Sequence, residues 1–456
     1  MSSKRIAWLL FFTLIAMELM LLGFTLYLYR SNYSVFINQI LQSLQRPDLY
    51  PVLAARYFPP SRFETLKVVL VAASIVGLST ILILYYLRKK FIPFLIEILH
   101  IPRVAIRLFS VQWKQCHPIT RWISALVFIL ILCRTLWYDT HFYLQYDELW
   151  NANLFLSKPW YYSIAAYNNY PLHNIVSQFF ISLFGNHPFI LRLPSLVTGL
   201  LLFFLLFHAI LYFIKNEWVA VSGVLVFACW PLVVFYMMYA RGVLLEVTFS
   251  LLVLWYTFCM LKKEIRTSHL FVLALLQAGG TASMLSHFYF VVAHSMFMGF
   301  YFLFSTAQSW KKPVVYILFL AAFHVLFFTP MLLGTGITPG LAAVSSAQTL
   351  SLSTILAAYH DLSDFLVGNP FGLWMATGLI AYNMFRIQNP RGLILCLLFS
   401  LFPFFIAFTS HIFPPPRALG FMIWLPMLAL IILLQWSFKQ LKWATLVFTG
   451  IMVFFF

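Results

Sequence analysis

Carboxylates are scarce in this chain, with 12 Asp and Glu in 456 residues against 29 Lys and Arg. Charged residues reach only 9%, where a soluble domain carries about a quarter. Such a chain cannot cover itself with polar surface, which excludes a soluble fold. Cysteine is sparse too. Cys116, Cys133, Cys229, Cys259 and Cys396 show no C-x-x-C spacing and fall in or beside apolar segments. They read as small apolar fillers, with no disulfide framework and no zinc site. No internal repeat and no low-complexity tract stands out.

What the chain has in abundance is apolar and aromatic. Hydrophobic residues make up 62% of it, and Phe alone occurs 50 times. It reads as an all-α polytopic membrane protein, one helical bundle in place of several soluble domains. The net charge of +17 does not point to nucleic acid, because Lys and Arg sit in short clusters between apolar runs. That is the pattern of loops held at a cytoplasmic surface. The N-terminus, "MSSKRIAWLLFFTLIAMELMLLGFTLYLYR", begins like a signal peptide, but its apolar run is too long and no small-residue cleavage site follows. It reads as an uncleaved membrane helix with Lys4 and Arg5 inside.

A bilayer core takes about 20 apolar residues as a helix. That rule predicts spans near 6–28, 67–87, 121–137, 193–214, 218–236, 242–261, 269–286, 288–308, 313–332, 366–385, 392–410, 418–437 and 443–456, roughly thirteen in all. Arg88-Lys89-Lys90, Lys262-Lys263, Lys311-Lys312, Arg386 with Arg391, and Lys439 with Lys442 all fall on the side of Lys4-Arg5. The positive-inside rule makes that side cytoplasmic. The segment 91–120 reads as a cytoplasmic amphipathic stretch on anionic lipid, and 31–66 as an outer loop.

The opposite face receives 138–192, the turns at Arg241 and His287, the loop 333–365 and "SHIFPPPRALG" around Arg417. Two of the few carboxylates stand together there, in "FYLQYDELWNANLF". After them, Leu149, Trp150, Leu154 and Phe155 recur at three- and four-residue spacings. This predicts a helix lying at the membrane interface. Adjacent helical residues point about 100° apart, so Asp147 and Glu148 cannot both face one reacting atom. One could face a cavity while the other holds backbone, an arginine or a metal. The plainer alternative is that Asp147 caps the helix and Glu148 favours its positive end.

The same face gathers Arg192, Arg241, Glu246, His287 and Arg417. Ionisable residues at a span boundary are expensive and usually line a cavity. The alternatives are snorkelling arginines, a rim charge at Arg417 and a hydrogen-bonded packing histidine. Together the group offers carboxylates as base and arginines to hold an anion at headgroup level. That suits a substrate with its phosphate at the interface and its tail in the bilayer.

In order, "YDELW", "NNYPLHNIVSQFFISLFGNHPFILRLPSLVTGL", "YARGVLLEV" and "SHFYF" make the chain similar to the GT-C glycosyltransferases of the protein O-mannosyltransferase and aminoarabinose (lipid A) transferase type. The resemblance covers roughly residues 120–310 by motif. It implies an inverting sugar transfer from a polyprenyl-phosphate carrier on the extracytoplasmic side, to a glycan, lipid or protein acceptor. It makes Asp147 the catalytic base, with Glu148 and Glu246 as supporting carboxylates. Arg241, then Arg192 and Arg417, become the candidates for the carrier phosphate. His287 falls where some relatives bind a metal; a divalent ion is compatible with these residues but not demanded by them.

The chain departs from the pattern at Gly242, where a bulky residue is common. The expected domains are 1–120, extra helices plus the amphipathic segment, and 121–456, the catalytic bundle with no soluble C-terminal domain. The expected location is a bacterial inner membrane. The rival readings are a flippase of a lipid-linked sugar, a structural assembly protein, and an O-antigen ligase or polymerase. Against the first, no paired repeat appears and the polar groups collect at one interface rather than at the midplane.

Overall fold

The computed structural model describes residues 3–43, 59–86, 88–165, 170–261, 265–304, 311–335, 351–410 and 416–440, and every regular element among them is helical. They divide into two compact units. The smaller holds the described residues of Met1–Leu108 and Phe328–Pro339, the larger those of Phe109–Phe327 and Gly340–Phe456.

In the smaller unit the helices Ser3–Arg30 and Pro60–Tyr86 lie against each other. Thr25 and Ser74 share a buried hydroxyl–hydroxyl bond at 3.0 Å, and Gly77 leaves the notch that receives the Glu18 carboxyl. The expected outer loop 31–66 is not all loop. It carries a helix, Tyr33–Ser43, whose Phe36, Ile37 and Leu41 pack on Leu28 and Phe63. The basic stretch after residue 87 forms one helix, Arg88–Gln115, which continues through Pro93 and Pro102.

The larger unit is organised around Pro188–Ile214. Its Leu202 and Phe203 are fully buried, and it packs on Pro118–His141, Pro171–Phe184, Glu217–Cys229 and Val243–Met260. Seven helices among the described residues are long and apolar enough to span a membrane, or nine if each of two bent pairs counts as one span. The expectation of roughly thirteen is therefore not met among the described residues, for identifiable reasons. Thr267–Ser283 and Gly392–Ile406 are too short to qualify, and the segment 443–456 lies outside the described residues.

The expected spans 218–236 and 366–385 are replaced by broken helices. Glu217–Cys229 and Pro231–Met237 meet at 69°, because Pro231 supplies no N–H and crowds the preceding turn. Leu352–Val367 and Gly372–Arg386 meet at 82°, and the first ends on Gly368 at φ +72°, a left-handed cap that glycine adopts without strain. Backbone groups freed inside a bilayer need partners. Arg134 Nη2 donates to the Ala228 carbonyl at the first break (2.7 Å), and the Leu373 N–H donates to Ser363 Oγ across the second (3.0 Å). Trp230 Nε1 ties one break to the other by donating to the Leu366 carbonyl at 2.7 Å.

Arg134→Leu removes the partner of a carbonyl at a helix break. It is expected to cost about 1.5–3 kcal/mol, the range for a hydrogen bond to a charged group. Thermal unfolding of the detergent-solubilised protein checks this; an unchanged melting temperature would mean the break holds without Arg134.

Candidate active site

The helix holding the two neighbouring carboxylates, Tyr146–Asn151, starts from Gln145. Glu148, in its first turn, reaches back to accept the Gln145 N–H at 2.8 Å. The cap residue is therefore Gln145 and not Asp147, and Glu148 completes a capping box from the third helical position. The helix exposes Tyr146, Leu149 and Trp150, runs on into a π-helical turn, Ala152–Leu156, and buries Phe155, in keeping with an interfacial element.

Glu148 is enclosed, and its second partner comes from the central helix. Arg192 Nε donates to Oε1 at 2.9 Å and Nη2 to Oε2 at 2.8 Å, a bidentate pair with side chains 2% and 0% exposed. The other N–H groups of Arg192 reach the carbonyls of Phe142 (3.0 Å), Tyr143 (3.0 Å) and Asp139 (3.4 Å). Glu148 Oε1 also accepts the Ala240 N–H at 2.9 Å. All five guanidinium N–H groups and all four carboxylate lone pairs are thereby engaged, and Arg192 keeps no donor for a ligand in this arrangement.

Asp147 points elsewhere, as adjacent helical residues must. Its Oδ2 accepts from the Tyr239 hydroxyl at 3.0 Å and forms an ion pair with Arg241. Asp147 is 38% exposed and Arg241 13%, so this pair borders open space while the Glu148–Arg192 pair does not. Burial pushes the Tyr239 phenol above its usual range, with the bond to Asp147 adding to it, so Tyr239 stays a donor. The Arg241 guanidinium also lies over the rings of Tyr239 and Tyr170, 5.0 and 5.4 Å from their centroids.

Tyr239 and Arg241 sit between Pro231–Met237 and Val243–Met260, where the chain is not helical. Ser195 Oγ holds this bend from the central helix by donating to the Tyr239 carbonyl at 2.7 Å. His173 backs Ser195 at 3.3 Å. Burial pushes His173 down to about 4, so it is neutral at physiological pH. Gly242 closes the bend against the end of Thr267–Ser283. A Cβ there would fall on the Ser283 carbonyl oxygen, which accounts for the glycine where the family pattern favours bulk.

The other candidates share no side-chain hydrogen bond or ion pair with this group among the described residues. Glu246 is fully buried with Ser286 as a polar neighbour, and neither carboxyl oxygen has a hydrogen bond among the described residues. His287 is fully buried, bonds Gln277 Oε1 through Nε2 at 3.1 Å and fills the space left by Gly280. Arg417 lies in the turn Pro416–Ile423, with its side chain outside the described residues. Among the described residues no group of three or more His, Cys, Asp or Glu is placed to hold a metal.

Asp139 was not legible as a site residue. Both its carboxyl oxygens are buried without a partner, at the end of Pro118–His141, the helix end whose carbonyls Arg192 binds. The available signal was a third carboxylate in the stretch that leads to Asp147.

Residues 168–333 match the family model described as dolichyl-phosphate-mannose-protein mannosyltransferase. Among solved structures, the chain is similar to the crystal structure of ArnT from Cupriavidus metallidurans in the apo state, with 13% identity and a TM-score of 0.50. That similarity covers 72% of this chain and 61% of the other, so the chain spans less than two thirds of that protein. A comparison with curated proteins gave no match. The aligned part of the chain shares the fold of that structure, and the family-model match agrees with the resemblance read from the motifs.

Breaking the buried pair from one side leaves an uncompensated charge. Arg192→Met and Glu148→Gln are each expected to cost about 3–5 kcal/mol. The double variant should cost less than their sum by about 1 kcal/mol or more, as measured by thermal unfolding; additive costs would mean the two do not act as one unit. His173 gives a pH signature. Because its folded value lies below the ordinary 6.5, stability from this group is complete above that pH and is lost as pH falls towards 4. Acid melts of His173→Gln should be flatter over that window.

Proposed function

We propose that the protein is a membrane glycosyltransferase that moves a sugar from a polyprenyl-phosphate carrier to an acceptor on the extracytoplasmic side, with inversion. The observation that carries this reading is the unequal setting of the two adjacent carboxylates. Glu148 is closed off with Arg192, whereas Asp147 borders open space beside a guanidinium and a phenol. The mannosyltransferase description of the matching family model and the fold shared with ArnT point the same way.

In this mechanism the carrier phosphate binds Arg241 and draws it from Asp147. The carboxylate then accepts the proton of the acceptor hydroxyl while that oxygen attacks the anomeric carbon. The bond from that carbon to the phosphate oxygen breaks, and its electron pair leaves on the carrier phosphate. Arg241 stabilises the charge that develops there, and attack opposite the leaving group inverts the centre. Tyr239 holds Asp147 in place meanwhile. Glu148 and Arg192 are positioning residues, and the basic clusters between the apolar runs support a cytoplasmic setting for the opposite face.

General-base removal is worth about 10²–10⁴-fold. Asp147→Asn is expected to lower kcat by that order for transfer from radiolabelled polyprenyl-phosphate sugars by the reconstituted protein, with the melting temperature unchanged. Arg241→Ala should reduce kcat/KM for the donor by about 10²–10³-fold. Full turnover by Asp147→Asn would remove the proposed base.

A further inference from the structure

The larger unit holds a cavity of about 980 Å³ that takes no part in the site above. Ile210 and Phe213 line it from the end of Pro188–Ile214, and Leu254 and Phe258 line it from the end of Val243–Met260. Both helices begin at the Asp147 site, through Arg192 and Gly242, and finish at the cavity. From Gly242 to Phe258 the helical rise amounts to roughly 24 Å. The cavity thus lies at the far end of the helices that hold the site.

Its polar groups gather on a few neighbouring turns. Arg386 ends Gly372–Arg386 and Lys439 lies in the last turn of Trp424–Gln440. Asn383, Asn389 and Gln435 line the cavity beside them. No carboxylate lines it, and neither cation makes an ion pair among the described residues. Cations are favoured at helix C-termini and at membrane edges in any case. Here, however, they flank a half-open, largely apolar space and stand with three uncharged amides. Two cations and several amide donors match a phosphodiester and its ester oxygens. The walls match hydrocarbon, and the volume is at the upper end for a small-molecule site.

We infer that this cavity binds one anionic diacyl phospholipid, its phosphate held by Arg386 and Lys439 and its chains between Ile210, Leu254 and Phe258. A carrier lipid seated here would hold its phosphate far from Arg241 and could not react, so the occupant is a resident lipid and not the donor. The inference does not depend on the glycosyltransferase reading.

The test is native mass spectrometry of the full-length protein released from nanodiscs of equal phosphatidylglycerol and phosphatidylcholine. One retained phosphatidylglycerol is expected. Its occupancy should fall at least tenfold both in Arg386→Ala/Lys439→Ala, which alters only the exposed rim, and in the cavity-filling Leu254→Trp/Leu395→Trp. Melting temperatures check that each variant is folded. Equal retention of the two lipids, or retention unaffected by the rim variant, would overturn the proposal. So would stoichiometric displacement of phosphatidylglycerol by added polyprenyl phosphate, which would make the cavity a carrier site.

Discussion

The buried pair between Glu148 and Arg192 is the constraint on which the candidate site depends. Taking a carboxylate and a guanidinium out of water costs several kcal/mol for each ion, and the pair is tolerable only when every remaining donor and acceptor is satisfied. Here each is. The two side chains collect the end of Pro118–His141, the start of the interfacial helix, the central helix and the Ala240 N–H into one knot. Turning Glu148 inward leaves its neighbour no choice. On a helix the next side chain lies about 100° away, and so Asp147 meets Tyr239 and Arg241 at the edge of the bundle. One carboxylate does the structural work, which leaves the other facing open space beside Arg241.

The bend from Met238 to Gly242 shows the same economy in backbone. Non-helical chain within a membrane protein must satisfy its own polar groups or line a cavity. Ser195 takes the Tyr239 carbonyl, Glu148 takes the Ala240 N–H, and Gly242 lets the following helix approach the Ser283 carbonyl. The irregular segment is therefore held from the central helix and the interfacial helix together, and Arg241 inherits that fixed position. The broken helices at Pro231 and Gly368 follow the same rule with different partners, Arg134 and Ser363.

Much of this was legible in the sequence. Scarce charge and long apolar runs gave the membrane class, and the ordered motifs gave the resemblance that the family-model match and the shared fold agree with. The clustering of Asp147 with Arg241 followed from their shared face. The span count was not legible, because hydropathy integrates over a window and cannot see that Pro231 turns the run 218–236 into two helices, or that the expected loop 333–365 carries the helix Leu352–Val367, which meets the next one at 82°. The alternative of a cap at Asp147 gives way to Gln145, whose N–H Glu148 takes up from inside the first turn. Arg192 looked like a phosphate ligand because a sequence shows a cation but not the carboxylate that saturates it. Asp139 stayed hidden for a related reason: burial without a partner is a property of packing, with no periodicity to announce it.

The division of labour between the two carboxylates is tested most directly by a structure of Asp147→Asn with a polyprenyl-phosphate sugar bound. The account predicts the phosphate on Arg241, the anomeric carbon facing residue 147, and the bidentate Glu148–Arg192 pair unchanged from the free protein. A phosphate seated on Arg192 with Glu148 displaced would contradict it, because the pair described here as structural would then be the donor site.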